Sequence, residues 1–263
     1  MDDQGPVLLD IRQAGRIAVV TLNRPEVMNA FNTETSLRLS AILSELSGRA
    51  EVRVVIVTGA GRAFCAGGDL KQRQGMTQQQ WVHQHRIFEA THHQVRNFRK
   101  PIFAAVNGVA VGGGCELALS TDFIIASSEA RFGQPEVSRG IMPGAGGTQL
   151  LPRFMPRGLA LELLMTGRMF GADEALRWGL VNRVVEPDQL MTVAEEIAAR
   201  IAANSPGAVQ QAKRSAKLGL DSPIEQGIEI EIECYQKMVT HSDRFEGVTA
   251  FNEKRSPEFE DVD

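Results

Sequence analysis

PIFAAVNGVAVGGGCELALSTDF, residues 101–123, runs from a proline through a β-branched apolar stretch into a glycine triplet, then into an apolar segment of helical period. It reads as strand, turn, triplet and a helix beginning at the triplet. A helix start leaves its first backbone N–H groups without intrahelical partners and carries the positive end of the dipole, so amides near Gly113 are placed to hold an oxyanion. Three successive glycines also serve simple close packing of chain on chain, and the triplet alone does not separate the two uses.

Outward from this stretch, short apolar runs at Ile17 to Leu22, Val54 to Val57, Phe123 to Ala126 and Val181 to Val185 join Ile102 to Val106 as predicted buried strands. Helical period covers Glu34 to Leu46, Thr77 to Phe98, Cys115 to Ser120, Leu159 to Thr166, Ala172 to Trp178, Asp188 to Ala203 and Ala208 to Leu218. Pro223 to Met238 contains IEIEIE, which alternates with period two, but its length favours a helix. Strands alternating with helices, followed by a mostly helical last third, predict an α/β fold.

Composition narrows the function. Twenty-eight Lys and Arg against 32 Asp and Glu leave a net charge of −4 over 263 residues, so there is no basic surplus for nucleic acid. Three scattered cysteines make neither a disulfide framework nor a zinc site. MDDQGPVLLD lacks the basic and apolar parts of a signal peptide, and no apolar run reaches the roughly 20 residues of a membrane span. The expectation is a soluble, cytoplasmic protein.

Several motif readings fail. VVIVTGAGRAF, residues 54–64, leads a strand into Gly-x-Gly, but Phe64 stands at the third glycine of a dinucleotide fingerprint. Gly-Lys is absent, so there is no P-loop, and Gly-x-Ser-x-Gly is absent too. His83, His85, His92 and His93 lack ligand-spaced carboxylates; Trp81, His85, Phe88, His92 and Val95 instead mark one face of an amphipathic helix. No metal is expected. Pro143-Gly-Ala-Gly-Gly-Thr148 is a third glycine-rich segment able to cradle an anion. Two carboxylates keep company with the triplet: Glu116, at the start of its helix, and Glu136, in a following turn.

These residues, taken in order, resemble the enoyl-CoA hydratase/isomerase, or crotonase, superfamily over nearly the whole chain. NRPEVMNAFN (23–32), AFCAGGDLK (63–71), AAVNGVAVGGGCELAL (104–119), RFGQPEVSRGIMPGAGGTQ (131–149), GADEALRWGLVNRVV (171–185) and AFNEKRSPEF (250–259) carry the likeness. The resemblance implies a crotonase (ClpP-like) spiral of repeated β-β-α units, with a core over 1–195 and a C-terminal helical oligomerisation region over 196–263 that builds a homotrimer or a dimer of trimers. It implies an acyl-CoA thioester whose carbonyl oxygen is held by the amides of Ala66 and Gly113. Glu116 would hold and deprotonate a water while Glu136 delivers a proton to the α-carbon. Ala63, Cys65, Gly67, Gly68, Asp69, Leu70 and Lys71 would contact substrate or coenzyme A, as would Phe251 and Lys254 of either the same or a neighbouring subunit; Arg24 is a weaker phosphate partner.

Both acids together favour reversible hydration of a trans-2-enoyl-CoA to the 3-hydroxyacyl-CoA, with no cofactor beyond the coenzyme A of the substrate. The alternatives are a Δ3,Δ2-enoyl-CoA isomerase relying mainly on Glu136, or a specialised methylglutaconyl-CoA or carnitinyl-CoA hydratase; DLKQRQGM, 69–76, resembles the loop of the methylglutaconyl enzymes. A non-catalytic CoA-binding scaffold or an RNA-binding protein is the different-class alternative, and the charge opposes RNA. Three positions depart from the commoner pattern: Met28 for a basic residue, Gly68 for Ala, and Leu150 for Arg.

Overall fold

A computed structural model describes residues 5–261; the first four residues of the acidic opening segment and the last two residues lie outside them. Strands β1 (Val7–Arg12) and β2 (Ile17–Leu22) form an antiparallel hairpin, turned by Gln13, Ala14 and Gly15 at positive φ. Helix α1 (Thr33–Ser47) starts where Asn32 accepts the Thr35 amide, and it buries Leu39, Ile42, Leu43 and Leu46.

Three strand–strand–helix units follow. The first is β3 (Val54–Gly59) and β4 (Ala63–Cys65) with α2 (Leu70–Arg73) and α3 (Gln78–Arg96). The second is β5 (Ile102–Val106) and β6 (Val109–Val111) with α4 (Gly113–Leu119). The third is β7 (Ile124–Ser127) and β8 (Arg131–Gly133) with α5 (Gly147–Phe154) and α6 (Arg157–Thr166). Each unit gives its longer strand to one sheet and its three-residue strand to a second. After β9 (Phe170–Gly171), α7 (Ala172–Arg177) and β10 (Arg183–Val185), the sheets read β1-β2-β3-β5-β7-β10 and β4-β6-β8-β9. Neighbours are parallel except β1–β2 and β8–β9. This is the α/β fold of the expected spiral.

The predicted strands all lie within observed ones or overlap them. Strands β4, β6, β8 and β9 escape the sequence reading because two or three residues carry no period, and the six-residue β1 escapes it because Asp10 breaks its apolar run. Between its sheets and helices the main core packs Phe31, Phe64, Phe132 and Phe170. Each such ring contributes roughly 2–3 kcal/mol by leaving water.

Four helices end the chain: α8 (Leu190–Ala202), α9 (Pro206–Leu220), α10 (Ile224–Val239) and α11 (Ser242–Glu253). The expected boundary after residue 195 falls inside α8. Leu190 and Ala194 before it, and Ala198 and Ala202 after it, pack together on Ile17, Val54, Ile56 and Phe103 of the large sheet. The core therefore extends through α8, and the appended helices begin at α9. IEIEIE is helical, as its length suggested: α10 lies against α9 where Gly219 and Gly227 meet, each so close that a Cβ would stand 3.3–3.5 Å from the other's Cα. No helix of the described residues is long and apolar enough to cross a membrane.

Candidate active site

Residues from all three units line one cleft of about 150 Å³, including Gly68, Arg73, His85, Phe88, Gly113, Glu116, Glu136 and Met142. The glycine triplet lies against the loop after β4. A Cβ on Gly114 would stand 2.1 Å from the Cys65 carbonyl oxygen, so only glycine permits this approach. Gly112, with φ +54°, donates its amide to the Gly133 carbonyl oxygen at 2.9 Å and abuts the Glu136 carboxylate, with Oε1 at 3.1 Å from an ideal Cβ.

The expected pair of oxyanion donors needs one correction. The Ala66 amide donates to the Met28 carbonyl oxygen at 3.0 Å, which ties the loop to the turn after β2 and occupies that N–H. Two residues on, Gly67 O accepts from Phe31 N and Asp69 N donates to Phe31 O, leaving the Gly68 amide between them without a partner among the described residues. Gly113 N, at the first position of α4, is likewise unpartnered among the described residues. Gly68 N lies 3.8 Å from an ideal Cβ on Gly113, so the two free amides belong to adjoining segments of the cleft wall.

Glu116, in the first turn of α4 and only 3 % exposed, is held by the third glycine-rich segment. Its Oε1 accepts the amides of Ala145 at 2.7 Å and Gly147 at 2.8 Å. The anion cradled by Pro143–Thr148 is thus this side chain, and Oε2 has no protein partner among the described residues. Glu136 sits in the 3-10 turn Pro135–Arg139, 8 % exposed. Burial pushes its pKa up to about 7; its own backbone amide pulls the other way, and the Glu116 charge adds to the rise. With the Gln134 amide turned, its nitrogen donates to Glu136 Oε1 at 3.1 Å.

The other expected contacts divide. Gly67, Gly68 and Leu70 line the cleft with Ala66. Asp69 caps α2 by accepting from Lys71 and Gln72, and it pairs with Arg24 at 3.0 Å, so Arg24 is committed within the fold. Lys71 is exposed. Ala63 and Cys65 are buried in β4, which removes their side chains from any ligand. The Ala63 carbonyl accepts from Asn29, and the Cys65 thiol is pushed up to about 12 by burial. Phe251, 83 % exposed, and Lys254 at the end of α11 do not line the cleft. Leu150 packs against the core, as a substitution for Arg would suggest. No cluster of three or more His, Cys, Asp or Glu suited to a metal occurs among the described residues.

The cleft also takes in His92 and Arg73, which no motif marks as site residues. His92 faces the cleft from the predicted amphipathic helix, which starts at a capping box of Thr77 and Gln80. Arg73 lies in the DLKQRQGM segment.

Comparison with known proteins fits this geometry. The family model described as Enoyl-CoA hydratase/isomerase matches residues 12–262. The short-chain-enoyl-CoA hydratase of Clostridium acetobutylicum is 43% identical over 249 residues, 94% of this chain and 95% of the relative. The crotonyl-CoA hydratase of Syntrophomonas wolfei is 40% identical over 245 residues, covering 93% and 94%. The crystal structure of an enoyl-CoA hydratase from Bacillus anthracis superimposes with a TM-score of 0.95 at 41% identity, covering 97% of this chain and 99% of that one.

Proposed function

This chain belongs to the enoyl-CoA hydratase/isomerase family, and from that premise we propose that it is a hydro-lyase adding water reversibly across the 2,3 double bond of a trans-2-enoyl-CoA. The observation that carries the reading is the convergence of two unpartnered amides and two buried carboxyl groups on one cleft.

The thioester oxygen accepts the N–H groups of Gly68 and Gly113. Addition at C3 drives negative charge onto that oxygen, and fixed amide dipoles stabilise it without reorganising; losing such a donor costs about 3–4 kcal/mol in comparable sites. Glu116, with Oε1 fixed by two amides, presents Oε2 to a water, whose oxygen bonds to C3 as Glu116 takes its proton. Glu136, holding a proton near neutral pH, gives it to C2. Transfer of the proton from Glu116 to Glu136 restores both groups, so the elements of one water have been added. The oxidation state of the substrate as a whole is unchanged, and the proposed chemistry calls for no redox cofactor or metal.

Coenzyme A would lie along the Gly67–Leu70 loop, with Phe251 and Lys254 supplied by a neighbouring subunit. An assembly as a trimer or dimer of trimers is supported by the exposed apolar side chains of α10 and α11, among them Ile224, Ile228, Ile232, Tyr235 and Phe251. We place the enzyme in the cytoplasm.

The test is loss of the conjugated enoyl-thioester absorbance when crotonyl-CoA is offered. Glu116→Gln and Glu136→Gln should each slow turnover by about 10²- to 10⁴-fold. Undiminished rates in both variants, or conversion of a 3-enoyl-CoA far faster than hydration, would overturn the assignment.

A further inference from the structure

We infer that His85 is a positioning residue for the hydration step: its ring holds the segment 142–146 against Glu116 and so fixes the direction in which that carboxylate presents its free oxygen. The inference rests on the hydratase reading above and adds a residue that acts through the backbone.

The segment between the Glu136 turn and α5 has little else to hold it. Met142, Pro143 and Gly144 make no hydrogen bond among the described residues, and Ala145 makes one, from its amide to Glu116 Oε1 at 2.7 Å. Gly147 N donates to the same oxygen at 2.8 Å. Pro143-Gly-Ala-Gly-Gly147 restrains itself poorly, since Gly144, Gly146 and Gly147 have no side chain and Gly146 takes φ +124°. A segment of this kind takes its position from what packs on it.

At Gly144 the packing comes from His85 of α3. A Cβ on Gly144 would stand 2.5 Å from His85 Cε1, 2.8 Å from Nε2 and 3.7 Å from Nδ1, and these are the three atoms nearest to it. The imidazole therefore lies directly on the glycine, where no other residue type would fit beside it. The ring is anchored in turn, with Nε2 3.2 Å from Oε1 of Glu89, one turn along the same helix. It is half-buried and lines both the inner cleft and its outward continuation. The segment is thus closed between a ring of α3 and a carboxylate of α4.

The lever from this contact to the chemistry is short. One peptide bond separates Gly144 from the Ala145 amide, so displacing the glycine displaces a donor that fixes Glu116 Oε1. The two oxygens share one rigid plane, and moving the donors swings Oε2 away from the water it must hold. In comparable sites a misplacement of about 1 Å costs about 10²-fold in rate. Two turns further along α3, His92 Nε2 reaches the Gly113 carbonyl oxygen at 3.0 Å. One helix face thereby sets the register of both the oxyanion amide and the water-holding acid.

The test is a double-mutant cycle on the full-length enzyme with crotonyl-CoA, at a temperature where melts show every variant folded. His85→Ala deletes the ring and Gly144→Ala drives it off, so the two remove the same contact. Each should lower kcat about tenfold while KM stays within about twofold of wild type. The double variant should also fall about tenfold, not the roughly 10²-fold of independent effects. His85→Phe, which keeps a flat ring over the glycine, should hold kcat within about threefold of wild type. Effects that multiply overturn the inference, as does a His85→Ala variant whose KM rises at unchanged kcat, since the ring would then be only a wall of the acyl pocket. Either result in an enzyme that hydrates crotonyl-CoA leaves the hydratase reading intact; an enzyme that hydrates no enoyl-CoA removes that reading and this role together.

Discussion

Nε2 of His92 lies 3.0 Å from the carbonyl oxygen of Gly113, and Nδ1 of the same ring lies 2.7 Å from the carbonyl oxygen of Phe88. A neutral imidazole carries one N–H and serves one of these acceptors; serving both requires both ring nitrogens to be protonated. With the proton on Nε2, donated to Gly113 O, the buried ring joins α3 to the first residue of α4, whose amide faces the cleft. His92→Phe keeps the bulk against Phe31 but removes the polar link, so kcat for crotonyl-CoA should fall about tenfold while KM moves little. His92→Gln should recover part of the loss. Equal effects of both variants on KM would assign the ring to packing alone.

The raised Glu136 pKa predicts the pH dependence. As a general acid, Glu136 must hold its proton, so kcat/KM should decline above about pH 7, and the small residual activity of Glu136→Gln should lack this limb. Stability follows the same ionisation. A folded-state pKa above the ordinary glutamate value means the unfolded chain ionises first; Glu136 therefore destabilises the fold as pH rises from about 4.5 toward 7. Thermal melts should show the Glu136→Gln variant gaining on wild type between pH 5 and pH 8. A constant difference would contradict the burial of that carboxyl group.

The triplet supplies a steric test. Gly114→Ala places a Cβ 2.1 Å from the Cys65 carbonyl oxygen and must displace the loop that carries Gly68. Overpacking of this kind costs about 1–3 kcal/mol, and both Tm and turnover should fall. Gly158→Ala, in α6 with nothing within 4 Å of the new methyl group, should hold or raise Tm by the helix preference of alanine, up to about 1 kcal/mol.

Association should depend on α10. Ile228 is exposed in the single chain, so Ile228→Glu leaves the core intact while introducing charge into the apolar face. Light scattering should report a lower mass than wild type with an unchanged far-ultraviolet spectrum. An unchanged mass would place the subunit contact elsewhere.

The longer strands other than β1, the amphipathic α3 and the Gly112–Glu116 segment were legible because each is a local pattern: an apolar run, a 3.6-residue stripe, a triplet opening a helix. The order of blocks likewise marked Glu116 and Glu136 as partners. Short strands such as β8 have no such pattern, and the end of the core at Ala202 follows from which side of α8 meets Val54 and Phe103. The assignment of the oxyanion amide shows the same divide at atomic scale. Ala66 and Gly68 are two residues apart in one loop, and their availability differs because Met28, far back in the chain, occupies one N–H and Phe31 brackets the other. Likewise the anion in the Pro143–Thr148 cradle is Glu116. Backbone hydrogen bonds and close approaches between segments distant in sequence leave no periodicity behind, so residue order names the participants and folding selects which of their atoms remain free to react.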